Sequence, residues 1–111
     1  MKVIKKSANS FNLEQAHNGE GTRKLFLDED EVDHIQGLTQ SCLPAGGTFK
    51  MHKHDDCTEC MYVLKGFGVV RDEDGEYPFA PGDFFIFPQG VNHEQQNLSS
   101  DIFKAIYIRT K

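Results

Sequence analysis

Hydrophobic and polar side chains alternate along residues 48–54, TFKMHKH, with a period of two. This period is typical of a β-strand, whose successive side chains point to opposite faces of a sheet. The pattern assigns Phe49, Met51 and Lys53 to one face and Lys50, His52 and His54 to the other. The sequence therefore predicts two histidines that leave one strand in the same direction.

A second alternating segment, ECMYVLK at 59–65, is predicted to return beside the first strand after a turn at 55–58. The alternation of this segment assigns Glu59, Met61 and Val63 to one face and Cys60, Tyr62 and Leu64 to the other. Because adjacent strand residues point to opposite faces, Glu59 and Cys60 cannot both point toward the histidine pair.

Short runs of β-forming residues cover most of the remaining second half of the chain. Strands are predicted at 38–43, at 66–72, at 84–87 (FFIF, interpreted as a short buried strand) and at 101–109. Glycine and proline turns separate them, and a turn every eight to twelve residues or so is typical of an all-β sandwich or barrel. The acidic run at 27–33, LDEDEVD, is interpreted as a solvated loop or strand end.

Length and charge narrow the class of protein. A chain of 111 residues is long enough for one domain with its own core. Twelve Lys and Arg against 17 Asp and Glu give a net charge of −5 and a pI near 5.4. Because there is no basic stripe to neutralise phosphates, we expect no nucleic-acid partner.

No apolar run follows the lysines of the amino terminus, and the longest strongly apolar stretch is 84–87. We therefore expect neither a signal peptide nor a transmembrane helix, and no membrane partner. Three cysteines do not suit a secreted disulfide framework. These features predict a cytoplasmic protein with reduced thiols.

Residues 52–60, HKHDDCTEC, admit two different metal sites. One is a zinc-finger-like cluster of His52, His54, Cys57 and Cys60, and the other takes His52, His54 and Glu59 with a further ligand from elsewhere in the chain. Histidines two apart on a strand are separated by roughly 6 to 7 Å at the backbone, a span that two imidazoles can close on one ion. The spacing H-x-H-x2-C-x2-C is unusual for a zinc finger, so the second site is favoured.

Two longer patterns surround these residues. Residues 46–66 fit G-x5-H-x-H-x4-E-x6-G, and residues 82–97 fit G-x5-P-x-G-x2-H-x3-N. The fixed positions are Gly46, His52, His54, Glu59 and Gly66 in the first pattern and Gly82, Pro88, Gly90, His93 and Asn97 in the second. These resemble the two signature motifs of the cupin superfamily, and every fixed position is met across about half of the chain.

The resemblance implies an all-β fold, the cupin double-stranded β-helix or jelly-roll barrel, with a mononuclear metal on its inner sheet. In the family, the ligands are the two histidines and the glutamate of the first motif and the histidine of the second. Here those positions are His52, His54, Glu59 and His93. Three imidazoles and one carboxylate suit one divalent Fe, Mn, Ni, Co or Zn ion, with a coordination position left for water or substrate.

The fold does not fix the reaction. The first hypothesis is a metal-dependent enzyme acting on a small polar metabolite by dioxygenation, isomerisation or decarboxylation. The alternative is a non-catalytic cupin module that binds or senses a small ligand through the same metal, and a third hypothesis is a zinc barrel whose metal only stabilises the fold. No catalytic residue is evident from spacing, although Tyr62 and Gln95 are considered as groups that support the ligands.

The organisation of the chain and several individual residues complete the prediction. Residues 38–111 are assigned to the barrel, and residues 1–37 to amino-terminal strands with an arm for a homodimer, since an exposed edge strand needs a partner. His17 and His34 are interpreted as surface residues. Cys60 is predicted in the core and Cys57 at a loop rim, with a redox role disfavoured by the lack of a strand-to-helix setting. Most of the core is expected from Met61, Tyr62, Phe79, Phe84, Phe85 and Phe87.

Overall fold

Nearly all of the regular secondary structure in the residues that this computed structural model describes, 2–16 and 19–111, is β-strand. A short 3₁₀ helix, Ala8–Ser10, precedes the strands. The strands are β1 Glu14–Gln15, β2 Thr22–Leu27, β3 Ile35–Leu43, β4 Thr48–His52, β5 Glu59–Lys65, β6 Gly68–Asp72, β7 Glu76–Phe79, β8 Phe84–Phe87, β9 His93–Asn97 and β10 Phe103–Thr110. The predicted all-β class is confirmed.

The strands form two antiparallel sheets. One has six strands in the order β1-β2-β3-β10-β5-β8, and the other has four in the order β4-β9-β6-β7. One buried cluster draws side chains from both sheets, including Met61 and Phe103, which are fully buried, and Val70 and Phe79 from the smaller sheet. Two sheets packed face to face over a shared core are the jelly-roll arrangement that the sequence predicts.

Strand β5 follows its predicted alternation. Glu59, Met61 and Val63 are buried, whereas Tyr62 and Leu64 are 45% and 42% exposed. Glu59 therefore points into the space between the sheets. Tyr62 lies on the outer face, so its predicted role beside the metal ligands is wrong.

Strand β4 departs from strict alternation. Phe49 pairs with Gln95 of β9, and His52 pairs with His93, so three steps along β4 match two along β9. This β-bulge turns Phe49 inward, where it lines the same cavity as His52. The predicted grouping of Phe49 with Met51 is therefore wrong, because the extra residue shifts the phase of the alternation.

Strand β8 is an edge strand and not a buried one. Phe87 is buried and Phe85 packs against the core, but Phe84 and Ile86 are 58% and 61% exposed on the outer face. The sequence FFIF does not distinguish the two faces of the strand, because all four residues are apolar. The core prediction therefore fails for Phe84 and Tyr62, which are cross-strand neighbours on that outer face.

Asn97, the last fixed position of the second motif, ties two loops together. Its side chain is fully buried, and its Nδ2 donates to the carbonyl oxygens of Leu43, Pro44 and Asp101 at 3.3, 3.0 and 2.8 Å. Its Oδ1 accepts hydrogen bonds from the backbone and hydroxyl of Ser99. The amide thus supplies a hydrogen-bond donor to carbonyl oxygens at the end of β3 and in the loops that follow β3 and β9.

The region before the barrel carries little site chemistry. Strand β2 ends at Leu27, and residues 28–34 are exposed, which confirms the solvated acidic run and the surface position of His34. His17 lies outside the described residues. None of the helical segments in residues 2–16 and 19–111 is long and apolar enough to span a bilayer.

Candidate metal site

Four potential metal ligands meet between the two sheets. His52 ends β4, His54 lies in the following loop, Glu59 begins β5 and His93 begins β9. One nitrogen from each histidine and one carboxylate oxygen all lie within 4.8 Å of one another. The structure therefore brings together the four residues predicted as ligands, in an arrangement that could hold a metal ion.

Backbone carbonyls set the orientation of two imidazoles. The Nδ1 of His52 lies 2.6 Å from the carbonyl oxygen of Lys50, and the Nδ1 of His93 lies 3.1 Å from that of Val91. A nitrogen facing a carbonyl must carry the proton, so we assign the Nδ1–H tautomer to both rings. The lone pair of Nε2 is then available to a metal, as is common for ligating histidines.

Glu59 lies at the centre of the group and is 6% exposed. Its Oε1 is 3.6 Å from the Nε2 of His54 and 3.7 Å from the Nε2 of His93. These distances are longer than hydrogen bonds, but two ligands of one ion, each about 2.1 Å from it, are separated by about 3 to 4 Å. The Nε2 of His54 is also buried without a hydrogen-bond partner. The donor set, the spacing and this unpartnered nitrogen all fit a divalent metal.

Electrostatics keep the carboxylate ionised. Burial raises the pKa of Glu59, but contact with His54 and His93 and the charge of Arg109 outweigh it and bring that pKa to about 2. The contact with Glu59 in turn raises the pKa of His54, against the effect of burial. Burial is the main cause that lowers the pKa of His52. Near neutral pH the site thus holds a negative charge beside a neutral His52.

An aromatic ring supports the histidine of the second motif. Phe87 stacks on His93 with ring centroids 4.1 Å apart and an interplanar angle of 9°, and Phe85 stacks on Phe87 in turn. Both phenylalanines come from β8, which pairs with β5 next to Glu59. The stack restricts the rotation of the His93 ring.

The loop that carries His54 is held by the loop before β9. The backbone N–H of Gly90 donates to the carbonyl oxygen of His54 at 2.8 Å, and Gln89 donates from its side chain to the carbonyl oxygen of Asp55. Gly90 has a φ of 83°, a left-handed conformation that favours glycine. This explains physically why a glycine occupies that fixed position of the second motif.

Three of the four residues, His52, His54 and Glu59, line a cavity of about 320 Å³. Ala16 and Phe49 form an apolar part of its wall. The other lining side chains are polar and come mostly from the larger sheet: Arg23, Thr39, Ser41, Gln95, Tyr107 and Arg109. A larger groove of about 660 Å³ lies under the amino-terminal segment, but its lining includes Ile4, Phe11 and Phe26 and, among the described residues, no histidine. The smaller cavity is therefore the better candidate for chemistry.

Sequence reasoning missed Tyr107 and Arg109. Both lie on the inward face of β10, where Ala105, Tyr107 and Arg109 are spaced two apart. That alternation was visible in the sequence. Which of the two faces of β10 points into the cavity, however, depends on its pairing with β5, about fifty residues earlier. Gln95 shares its buried face with His93 and Asn97, as the sequence predicted.

The cysteines take no part in the ligand group. The cluster found among the described residues contains neither Cys57 nor Cys60, and the zinc-finger-like site is not assembled. Cys57 is buried and Cys60 is half-buried on the outer face, so the predicted core and rim positions of these two residues are reversed. Burial raises the pKa of both thiols, which makes them poor nucleophiles.

The fold and the ligand group define a protein class. The sequence profile of the cupin domain matches residues 40–109, and the chain belongs to this family. The architecture is also that of solved cupin structures. A predicted oxalate decarboxylase from Thermotoga maritima superposes with a TM-score of 0.85 at 21% identity, covering 96% of this chain and 98% of that one. A sugar phosphate isomerase of the cupin superfamily from Silicibacter pomeroyi gives a TM-score of 0.81 at 20% identity, covering 97% and 76%.

Two curated proteins are similar in sequence. An uncharacterized protein of Methanocaldococcus jannaschii is 24% identical over 106 residues, which cover 96% of this chain and 85% of that protein. An oxalate-binding protein of Thermotoga maritima is 34% identical over 55 residues, which cover 50% of this chain and 46% of that protein. At these identities the solved structures establish the fold.

Proposed function

We propose that this cupin is a mononuclear metal enzyme acting on a small polar metabolite. Its ligands in this proposal are His52, His54, Glu59 and His93. The observation that carries the proposal is that four ligand atoms lie within 4.8 Å of one another, beside a cavity of about 320 Å³ that three of the four residues, His52, His54 and Glu59, line. A structural ion needs no such cavity beside it, whereas a catalytic ion needs an open coordination position.

One divalent Fe, Mn, Ni, Co or Zn ion per chain suits three imidazoles and a carboxylate. When bound, such an ion supplies a Lewis acid that polarises a substrate oxygen. The protein's own groups prepare the site for it. Glu59 offers a charged oxygen, Arg109 holds the second Glu59 oxygen at 3.6 Å, and the Lys50 and Val91 carbonyls orient their imidazoles.

The reaction class remains dioxygenation, isomerisation or decarboxylation. Two relatives have oxalate in their names, and one structural relative is a sugar phosphate isomerase. Within this proposal we favour organic acids as the first compounds to test. Among the described residues, Glu59 is the one carboxylate that lines the cavity. Proton transfer would then have to use substrate groups or water.

A second candidate function is binding without turnover. It is favoured by the lack of an evident proton acceptor, because burial holds the pKa of Tyr107 well above its ordinary range and Glu59 is engaged with the imidazoles. The similarity to an oxalate-binding protein agrees with this alternative. Incubation of the metal-loaded protein with organic acids separates the two, because only an enzyme consumes the acid. The enzyme proposal fails if every acid that binds is recovered unchanged.

We also propose that the chain forms a homodimer through residues 1–37 and the outer face of the larger sheet. Val3 and Ile4 are 96% and 83% exposed, and Phe84 and Ile86 are exposed on that face. Light scattering at micromolar concentration should give twice the chain mass of 12.6 kDa. The double variant Phe84→Lys/Ile86→Lys should give a monomer, and a monomeric wild type would contradict the proposal.

We also propose that the protein is cytoplasmic and that its partner is a small molecule and not nucleic acid. Cys42, Cys57 and Cys60 are all free, in agreement with a cytoplasmic protein that keeps reduced thiols. The net charge of −5 argues against nucleic acid as a partner. A small-molecule ligand is the partner that the cavity best supports.

A further inference from the structure

Two buried side chains in the cavity each carry a polar atom for which residues 2–16 and 19–111 supply no hydrogen-bond partner. The Nε2 of Gln95 and the hydroxyl of Tyr107 are both buried without one, and the two residues are 2% and 4% exposed. The Gln95 side chain approaches the Tyr107 phenol and lowers its pKa, although burial outweighs this effect. Neither the Nε2 of Gln95 nor the hydroxyl of Tyr107 makes a hydrogen bond of full geometry within the described residues. Buried polar groups in native proteins are nearly always paired, so this pair calls for an acceptor.

The two residues come from opposite sheets. Gln95 lies on β9, two positions from His93, and Tyr107 lies on β10, where its neighbours across the strands are Thr39 and Met61. Both line the cavity into which the proposed metal ligands open. A molecule bound at the metal would therefore meet both donors within the same enclosed space.

The charge of the cavity indicates what kind of molecule this is. Its lining carries the guanidinium groups of Arg23 and Arg109. Arg23 pairs with Glu14 at 2.7 Å and Arg109 faces Glu59 at 3.6 Å, so these charges largely compensate one another. A divalent ion held by the four ligands would add two more positive charges. Because opposite charges attract strongly in a partly dry cavity, an anionic ligand is favoured over a neutral one.

We propose that Gln95 and Tyr107 form a second subsite that binds one oxygen of a small bifunctional organic acid while its first carboxylate lies at the metal. This inference rests on the proposed metal site and adds to it the substrate class, dicarboxylates and oxo acids. Gln95 donates from its amide and Tyr107 from its phenol. The cavity volume of about 320 Å³ restricts the ligand to short acids.

Calorimetry with malonate as the probe and acetate as its monofunctional control tests the subsite. The protein is loaded with the divalent ion that it holds, and metal content is measured for every variant. Gln95→Leu and Tyr107→Phe each remove one donor, and Gln40→Leu and Tyr62→Phe make the same changes on the outer face. Loss of one hydrogen bond should raise the malonate Kd about fivefold or more in the inner variants, with acetate binding unchanged. The outer variants should match the wild type.

Thermal unfolding of the metal-free variants provides an independent measurement. If the Gln95 amide and the Tyr107 hydroxyl have no partner in the ligand-free protein, removing either one should leave the melting temperature unchanged or raise it, because an unpaired buried donor is eliminated. A fall in melting temperature for both inner variants would overturn the inference, since the donors would then be structural. So would a malonate Kd that changes less than fivefold, or a loaded wild type that binds no malonate. Those results leave the metal site intact, whereas a wild type without metal overturns the proposed function together with the subsite.

Discussion

Glu59 and Arg109 are cross-strand neighbours on β5 and β10, and the Nη1 of Arg109 lies 3.6 Å from the Oε2 of Glu59. The carboxylate thus has one oxygen directed toward two imidazoles and the other toward a guanidinium. Both side chains are largely buried, 7% and 16% exposed. Arg109 therefore compensates the charge of Glu59 when no metal does.

Replacing this arginine should destabilise the metal-free protein more than the metal-loaded one. We expect Arg109→Met to cost about 1–3 kcal/mol without metal, because a buried carboxylate loses its main cation, and less with metal bound. Urea unfolding with and without a chelator measures the difference. Arg71→Met removes more exposed ion pairs with Glu76 and Glu94 and should cost under about 1 kcal/mol in both states. Equal losses for Arg109→Met in the two states would contradict the explanation.

Metal affinity should fall as the pH is lowered. Contact with Glu59 raises the pKa of His54 from its ordinary value, so protons compete with the metal at this imidazole at and below neutral pH. Once the pH is below the pKa of His54, affinity should drop about tenfold per pH unit for this one proton. Competition titrations with a chromophoric chelator between pH 8 and 5.5 measure it. An affinity that stays constant over this interval would show that His54 does not ligate.

The stability of the metal-free protein should depend on Glu59 and His54 with opposite signs. The pKa of Glu59 is lowered to about 2, so its contribution is present above the ordinary carboxyl range near 4.5 and is lost as the pH falls toward 2. The pKa of His54 is raised, so its contribution is present below about 6.5 and is lost as the pH rises through the folded value.

The stabilisation lost in Glu59→Gln should therefore be largest between about pH 4.5 and 6.5 and smaller on both sides. Urea unfolding of the wild type and this variant, both with chelator present, gives the difference at pH 3.5, 5.5 and 8. Glu94→Gln, a change on the outer face of β9, should show no such maximum. A difference that is constant with pH would contradict the assigned pairing.

Asn97 should be among the most important residues for stability outside the apolar core. Asn97→Ala removes a donor that three buried or partly buried carbonyl oxygens share, and we expect a loss of about 2–4 kcal/mol in urea unfolding. Asn92→Ala removes an exposed amide and should cost less than about 0.5 kcal/mol. A small loss for Asn97→Ala would mean that water replaces the amide readily.

The sequence was informative where spacing alone decides the geometry. The alternation of β5 placed Glu59 inward correctly, and the two cupin motifs identified all four residues that the structure brings together. It failed at Phe49, because a β-bulge adds one residue that no pattern of hydrophobicity reveals. It failed at Phe84, because an all-apolar run does not tell the inner face of an edge strand from the outer one.

The polar wall of the cavity was beyond prediction for a different reason. Whether Arg109 meets Glu59 depends on the register between β10 and β5, and whether Tyr107 meets Gln95 depends on the packing of one sheet on the other. Both relationships join segments far apart in sequence. Local periodicity gives the face of a strand but not its partner across the core.

The most direct test of the central proposal is elemental analysis of the untagged protein by plasma mass spectrometry. Wild type and Cys57→Ser/Cys60→Ser should hold close to one divalent metal per chain, and His54→Ala should hold almost none, with folding of each checked by circular dichroism. That result would support the three-histidine, one-glutamate site. Metal retained in a folded His54→Ala but lost in the cysteine variant would contradict it.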